Sequence, residues 1–243
     1  MTEPASIRAH AAVPFMNPFG EAAVDAAIAT LALPAGARVV ETGCGAAELL
    51  LRVLEAFPDA RGVGVDPDPH ALTRARASAA ARLPEERAPE LIEAGAEDAG
   101  LADGAYDLVI NVASSHAHGG FPEALGALAA LARPGGGRVL LGEGFWRRPP
   151  SPAFLDALGG ATADELPLGL DALLDAARAV GLESLATAVA SDADWAAYED
   201  GLATEAERYD DGDAVAYAGR IRARHALADG RTTLGFALLT LQR

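Results

Sequence analysis

The stretch VVETGCGAAELL, residues 39–50, decides the fold of this chain. It closes an apolar run, ARVVET (37–42), and opens a helical pattern through a loop that holds Gly43 and Gly45. A strand that turns over glycines into a helix is the first half of a βαβ unit. Such a loop lets a ligand reach bare backbone and the unspent N–H groups of the helix start. A dinucleotide fingerprint sets glycines at offsets zero, two and five. Here the offset-five residue is Glu48, a carboxylate where a pyrophosphate would sit. Glu41 is equally misplaced beside a diphosphate, but it suits a cofactor that carries positive charge.

Outward from the loop, short apolar runs alternate with helical patterns, as in a parallel sheet with crossover helices. Further strands are expected at ARGVGVD (60–66), PELIEA (89–94), AYDLVIN (105–111) and GRVLLGE (137–143). Leu50, Val53, Leu54 and Phe57 keep the spacing of a helix with one buried face, as do Leu72, Ala75, Ala79 and Leu83, and Phe121, Leu125 and Leu128. After Glu143 the pattern changes. GFWRRPPSP reads as a proline-rich loop, LGLDALLDAARAVGL as a helix ending at Gly181, and ESLATAVAS as a sixth strand. Two polar helical segments, about 193–208 and 212–228, precede a closing strand RTTLGFALLTL (231–241).

Composition narrows the function. The chain has 243 residues and a formal charge of −16, and all 19 basic residues are arginines. That balance repels phosphate backbones, so no nucleic-acid partner is expected. The missing lysine, with abundant Ala, Gly and Arg, points to a GC-rich bacterial genome. The single cysteine, Cys44, makes no internal disulfide or multi-cysteine zinc site, and reads as a small packing residue rather than a nucleophile. No stretch is apolar enough to span a bilayer, and MTEPASIRAH lacks the order of a secretory signal, so no membrane partner and a cytoplasmic location are expected. No metal site is expected: His116 and His118 lack a third ligand, and YDDGDA (209–214) lacks the spaced ligands of a calcium loop.

The loop E-T-G-C-G, Asp66 at the end of strand two, and DGAYDLV (103–109) resemble the class I S-adenosylmethionine (SAM) dependent methyltransferases. The resemblance implies an α/β, Rossmann-like fold. Its seven-stranded, mostly parallel sheet has an antiparallel last strand and helices on both faces. It implies SAM as cofactor and S-adenosylhomocysteine as product. Glu41 would lie near the methionine amino end, with the backbone of Gly43, Cys44 and Gly45 alongside. Asp66 would accept from the ribose hydroxyls, and Pro67 and Asp68 would flank the adenosine. Two positions depart from the family pattern: Ala47 replaces the third loop glycine, and Gly95 stands where many relatives have an aspartate for the adenine amino group. Glu97 or Asp98 is the candidate substitute, with the Ala96 N–H meeting the ring. Taken singly, Asp66 reads as an N-cap for the helix near Pro69, and G-x-G as a tight turn.

FMNPFGE (15–21), the segment 119–147 and SDADWAAYED (191–200) extend the resemblance to a bacterial subgroup of small-molecule type with no assigned substrate. The expectation is one domain over 1–243, with a cap segment at 1–30 and lid or substrate-side elements within 145–230. Asn111 and Val112 would contact the methionine part. Asn17, Ser114, Ser115, His118, Glu143 and Trp146 are substrate-side candidates, and His116 is the candidate general base, since imidazole takes up protons near neutral pH. For Trp146, anchoring the loop against the sheet is at least as good a reading, and Trp195 and Tyr198, three apart on a helix, read as core anchors rather than substrate contacts. The expected activity is methyl transfer from SAM to a small acceptor. A non-catalytic SAM-binding protein and an NAD-type oxidoreductase are the alternatives, and no oligomeric state can be read.

Overall fold

The computed structural model describes residues 5–10, 13–227 and 229–243. Parts of the expected cap segment, 1–4 and 11–12, and the last residue of the expected helix 212–228 lie outside the described residues. In chain order the elements are α1 (Ala5–Ala9), α2 (Glu21–Ala29), β1 (Arg38–Thr42), α3 (Glu48–Ala56), β2 (Arg61–Asp66), α4 (Pro69–Arg82), β3 (Glu90–Glu93) and β4 (Leu108–Val112). There follow α5 (Phe121–Leu131), β5 (Arg138–Trp146), α6 (Pro152–Ala157), α7 (Leu170–Ala179), β6 (Glu183–Val189), α8 (Asp192–Ala206), α9 (Gly212–Ala226) and β7 (Leu234–Gln242).

The seven strands form one sheet in the order β3-β2-β1-β4-β5-β7-β6. The pairs from β3 to β5 are all parallel. β7 runs the other way: the Arg243 N–H donates to Gly137 O at one end of β5, and the Arg147 N–H to Thr233 O at the other. This is the expected class I arrangement with an antiparallel last strand. The central strands are buried on both faces, as parallel strands under crossover helices must be, while β3 and β6 at the edges are largely exposed.

Two local readings change. β5 does not stop at Glu143 but runs on through Gly144, Phe145 and Trp146, because nothing before Pro149 breaks a strand. The N-cap of α4 is Asp68, which accepts from the His70 N–H at 2.8 Å, rather than Asp66. The chain divides into two compact units. The first comprises 1–21, 144–173 and 189–237; the second comprises 22–143, 174–188 and 238–243 and holds β1 to β4.

Candidate functional site

Within the second unit, the chain builds the sheet outward from β1 to β3 and then returns to place β4 on the other side of β1. The carboxyl ends of β1 and β4 therefore flank the topological switch point, where open α/β sheets collect ligands. The loops after them meet: Ser114 Oγ donates to Gly43 O at 3.1 Å. Gly43 has a φ of +66°, and a Cβ there would lie 2.5 Å from Ser114 Cβ, so only glycine allows this approach. Gly45 has a φ of +53° and nothing within 4 Å of where a Cβ would be, which leaves room against its backbone. Ala47 also holds a left-handed φ, 59°, and carries about 1–2 kcal/mol of strain where the family's third glycine would carry none.

Asp66 ties the loop down. Gly45 N–H donates to its Oδ2 at 2.8 Å and Asp68 N–H to its Oδ1 at 2.9 Å. Each carboxylate oxygen keeps a second lone pair for another donor. Glu41, buried at the end of β1, accepts from the Leu50 N–H through Oε2 at 3.1 Å. Its carboxyl therefore caps α3 from within, where a diphosphate would otherwise bind. Burial pushes the Glu41 pKa up to about 8; the Leu50 N–H opposes this, and the charges of Asp66 and Glu48 add to it. Glu48 itself accepts from Arg52 Nε at 2.6 Å and Arg82 Nη1 at 2.5 Å. Its charge is thus compensated, so the case against a phosphate passes from Glu48 to Glu41. No cation pairs with Glu41 among the described residues. Cys44 is buried, and burial raises its thiol pKa well above the usual range, with Glu41 and Asp66 adding to the rise.

Behind the loops lies a buried polar chain that the sequence does not announce. Asn111 Nδ2 is 3.0 Å from Thr42 Oγ1 and 3.2 Å from Ser114 O, and His118 Nε2 is 3.0 Å from the same Thr42 oxygen. Burial lowers the His118 pKa, partly offset by the charge of Glu97. The neutral ring thus shares a hydrogen bond with the Thr42 hydroxyl, and the hydroxyl accepts from Asn111. His118, expected to face an acceptor, is turned inward. His116, on the short 3-10 turn Ser115–His118, is exposed and has no side-chain partner among the described residues. Val112, Ser114 and Ser115 are half-buried. Pro67 and Glu97 are exposed, and Ala96 is buried in a tight turn closed by the Asp98 N–H to Gly95 O, 3.1 Å.

The family model described as a methyltransferase domain matches residues 39–136, from β1 to the turn before β5. The SAM-dependent methyltransferase of Thiobacillus denitrificans, solved with S-adenosyl-L-homocysteine, is 26% identical over 100% of both chains, with a TM-score of 0.76. This chain has the class I fold and is a SAM-dependent methyltransferase. Its cofactor is SAM. Two further solved structures share the fold. The Geobacter sulfurreducens SAM-dependent methyltransferase, also with S-adenosyl-L-homocysteine, is 23% identical over 98% of each chain, with a TM-score of 0.79. YjhP from E. coli is 23% identical over 98% of this chain and 99% of its own, with a TM-score of 0.78. No curated protein matches.

The loop of this methyltransferase fits such a cofactor: Gly45 leaves room beside bare backbone, and Glu41 is a buried acid with no cation of its own. The remaining candidates lie further along β5 or in the first unit. Glu143 is buried near the end of the second unit's part of β5. In the first unit, Trp146 is buried, donates its Nε1–H to Ala163 O at 2.8 Å and meets Phe154 edge to face at 6.2 Å. Asn17 Oδ1 accepts from the Phe19 N–H at 2.9 Å. No group of His, Cys, Asp and Glu suited to a metal ion occurs among the described residues, and no described helix is long and apolar enough to cross a membrane.

Proposed function

We propose that this methyltransferase acts on a small-molecule acceptor, and that the buried, cation-free carboxyl of Glu41 is the centre of its cofactor site. Bound SAM supplies an electrophilic methyl group open to in-line displacement. Glu41 takes the methionine amino end, directly or through water, and the backbone of Gly43, Cys44 and Gly45 runs alongside. Asp66 accepts from the ribose with the lone pairs not spent on Gly45 and Asp68. Pro67 flanks the adenosine, and the Ala96 N–H and Glu97 meet its ring. Asn111 and Val112 contact the methionine part.

On the acceptor side of the second unit stand Ser114, Ser115 and Glu143, and His116 takes the acceptor's proton. Its exposure and lack of a partner support that role. His118 works one step back, holding Thr42. The main task of these groups is alignment of the nucleophile and exclusion of water, which can supply about 7–11 kcal/mol of the barrier. The strongly acidic balance supports a small acceptor over nucleic acid. We assign the chain to a single methyltransferase domain with cap elements in 1–30 and substrate-side elements in 145–230. The absence of lysine and the single cysteine fit the cytoplasm of a GC-rich bacterium.

SAM carrying a labelled methyl group, incubated with the protein and a cell extract, should leave its label in the fraction that passes an ultrafiltration membrane. Label retained on protein or nucleic acid would overturn the small-acceptor reading. With an acceptor in hand, His116→Ala should lower kcat by about 10²–10⁴-fold with SAM affinity unchanged. A fully active variant removes the base assignment.

A further inference from the structure

The first unit holds a half-open cavity of about 520 Å³ between α6, α8 and α9, with Leu234 at the start of β7. Three rings, Trp195, Tyr198 and Tyr217, and the side chains of Leu202 and Ile221 give it flat apolar walls. Its polar groups are unbalanced. Glu199 is the one acid on the wall, and both of its oxygens are taken, one by Arg224 Nη2 and the other by His225 Nε2. Arg224 has no other side-chain partner among the described residues, so most of its five N–H donors are unspent. Arg220, stacked over the Tyr217 ring at 5.8 Å, has no acid partner among the described residues, whereas Arg222 and Arg231 beyond the wall turn to Glu207 and Asp200.

The Tyr217 hydroxyl has no acceptor among the described residues. Tyr198, by contrast, spends its proton on His10: His10 Nδ1–H donates to Ser6 O at 2.6 Å, so Nε2 accepts from the Tyr198 hydroxyl at 2.8 Å. The wall therefore offers two guanidinium groups and a phenol against one spent carboxylate. It is a locally cationic, donor-rich pocket in a chain of charge −16. An arriving carboxylate would take charge-assisted hydrogen bonds from these groups, which are stronger than bonds between neutral groups.

We propose that this cavity binds a small organic acid with a flat aromatic body, its carboxylate received by Tyr217 and the arginines. Calorimetric titration in saturating S-adenosylhomocysteine tests it, with indole-3-carboxylate as the probe and indole-3-carboxamide as its neutral isostere. The acid should bind with a Kd below about 1 mM and the amide at least about tenfold more weakly. Tyr217→Phe and Arg220→Gln should each weaken the acid several-fold while leaving the thermal shift caused by S-adenosylhomocysteine unchanged. Three results would each overturn the proposal: no saturable heat from the acid, equal affinity for the amide, or undiminished binding by both variants.

Discussion

At the scale of single residues, Glu41 is where burial and function pull against each other. A carboxyl pushed from 4.5 to about 8 holds its proton at pH 7 in the free protein. The folded chain thus keeps a proton that the unfolded chain has lost, so stability falls as pH rises from 4.5 to about 8. The loss is about 3–5 kcal/mol in all. Glu41→Gln should flatten that decline in denaturant titrations across the same window. In the proposed cofactor site, an arriving cation makes the carboxyl ionise against it. SAM binding at pH 6.5–7 should therefore release close to one proton, seen as a dependence of the binding heat on the buffer's ionisation enthalpy. Glu41→Gln should abolish the dependence, and a wild-type heat that is the same in every buffer would count against the role assigned to Glu41. Glu41, Gly43, Gly45 and Asp66 are legible in the sequence because strand ends and glycine turns leave a local pattern. The Thr42–His118 contact is not, because it joins residues 76 apart and rests on a single 3-10 turn whose periodicity is too short to read.

At the scale of elements, α8 shows how a helix start is written in the chain. Ser191 Oγ accepts from the Asp194 N–H at 3.2 Å, and Asp194 Oδ2 accepts from the Ser191 N–H at 2.8 Å, a reciprocal capping box. Ser191→Ala should cost about 1 kcal/mol, read as a lower urea midpoint at unchanged slope. The SDAD pattern is visible in sequence and locates this boundary to within a residue. The end of β5 is not, because Phe145 and Trp146 are good strand residues standing just before prolines, and the prolines draw the eye to a loop. The pairing of Glu199 with Arg224 and His225 is equally silent in sequence, since it joins two polar helices whose faces carry charges all round.

At the scale of the whole molecule, the net charge of −16 sets two electrostatic effects in opposition. Exposed ion pairs such as Arg178–Asp175 lose strength in salt, but each is worth at most about 1 kcal/mol. Self-repulsion among the unbalanced acids is screened by the same salt and acts over the entire surface. The second effect should win, so the melting temperature should rise from low salt to about 0.5 M KCl, where the Debye length has shrunk to a few ångströms. A falling melting temperature would show that the surface pairs dominate. The chain also carries a single thiol, and that thiol is sealed inside the loop at the end of β1. An alkylating reagent can reach it only when this loop opens, and the mass of the intact protein then changes by one adduct. The native chain thus contains its own stopwatch: the rate of alkylation at Cys44 counts the openings of the cofactor loop, and a bound cofactor should slow the count.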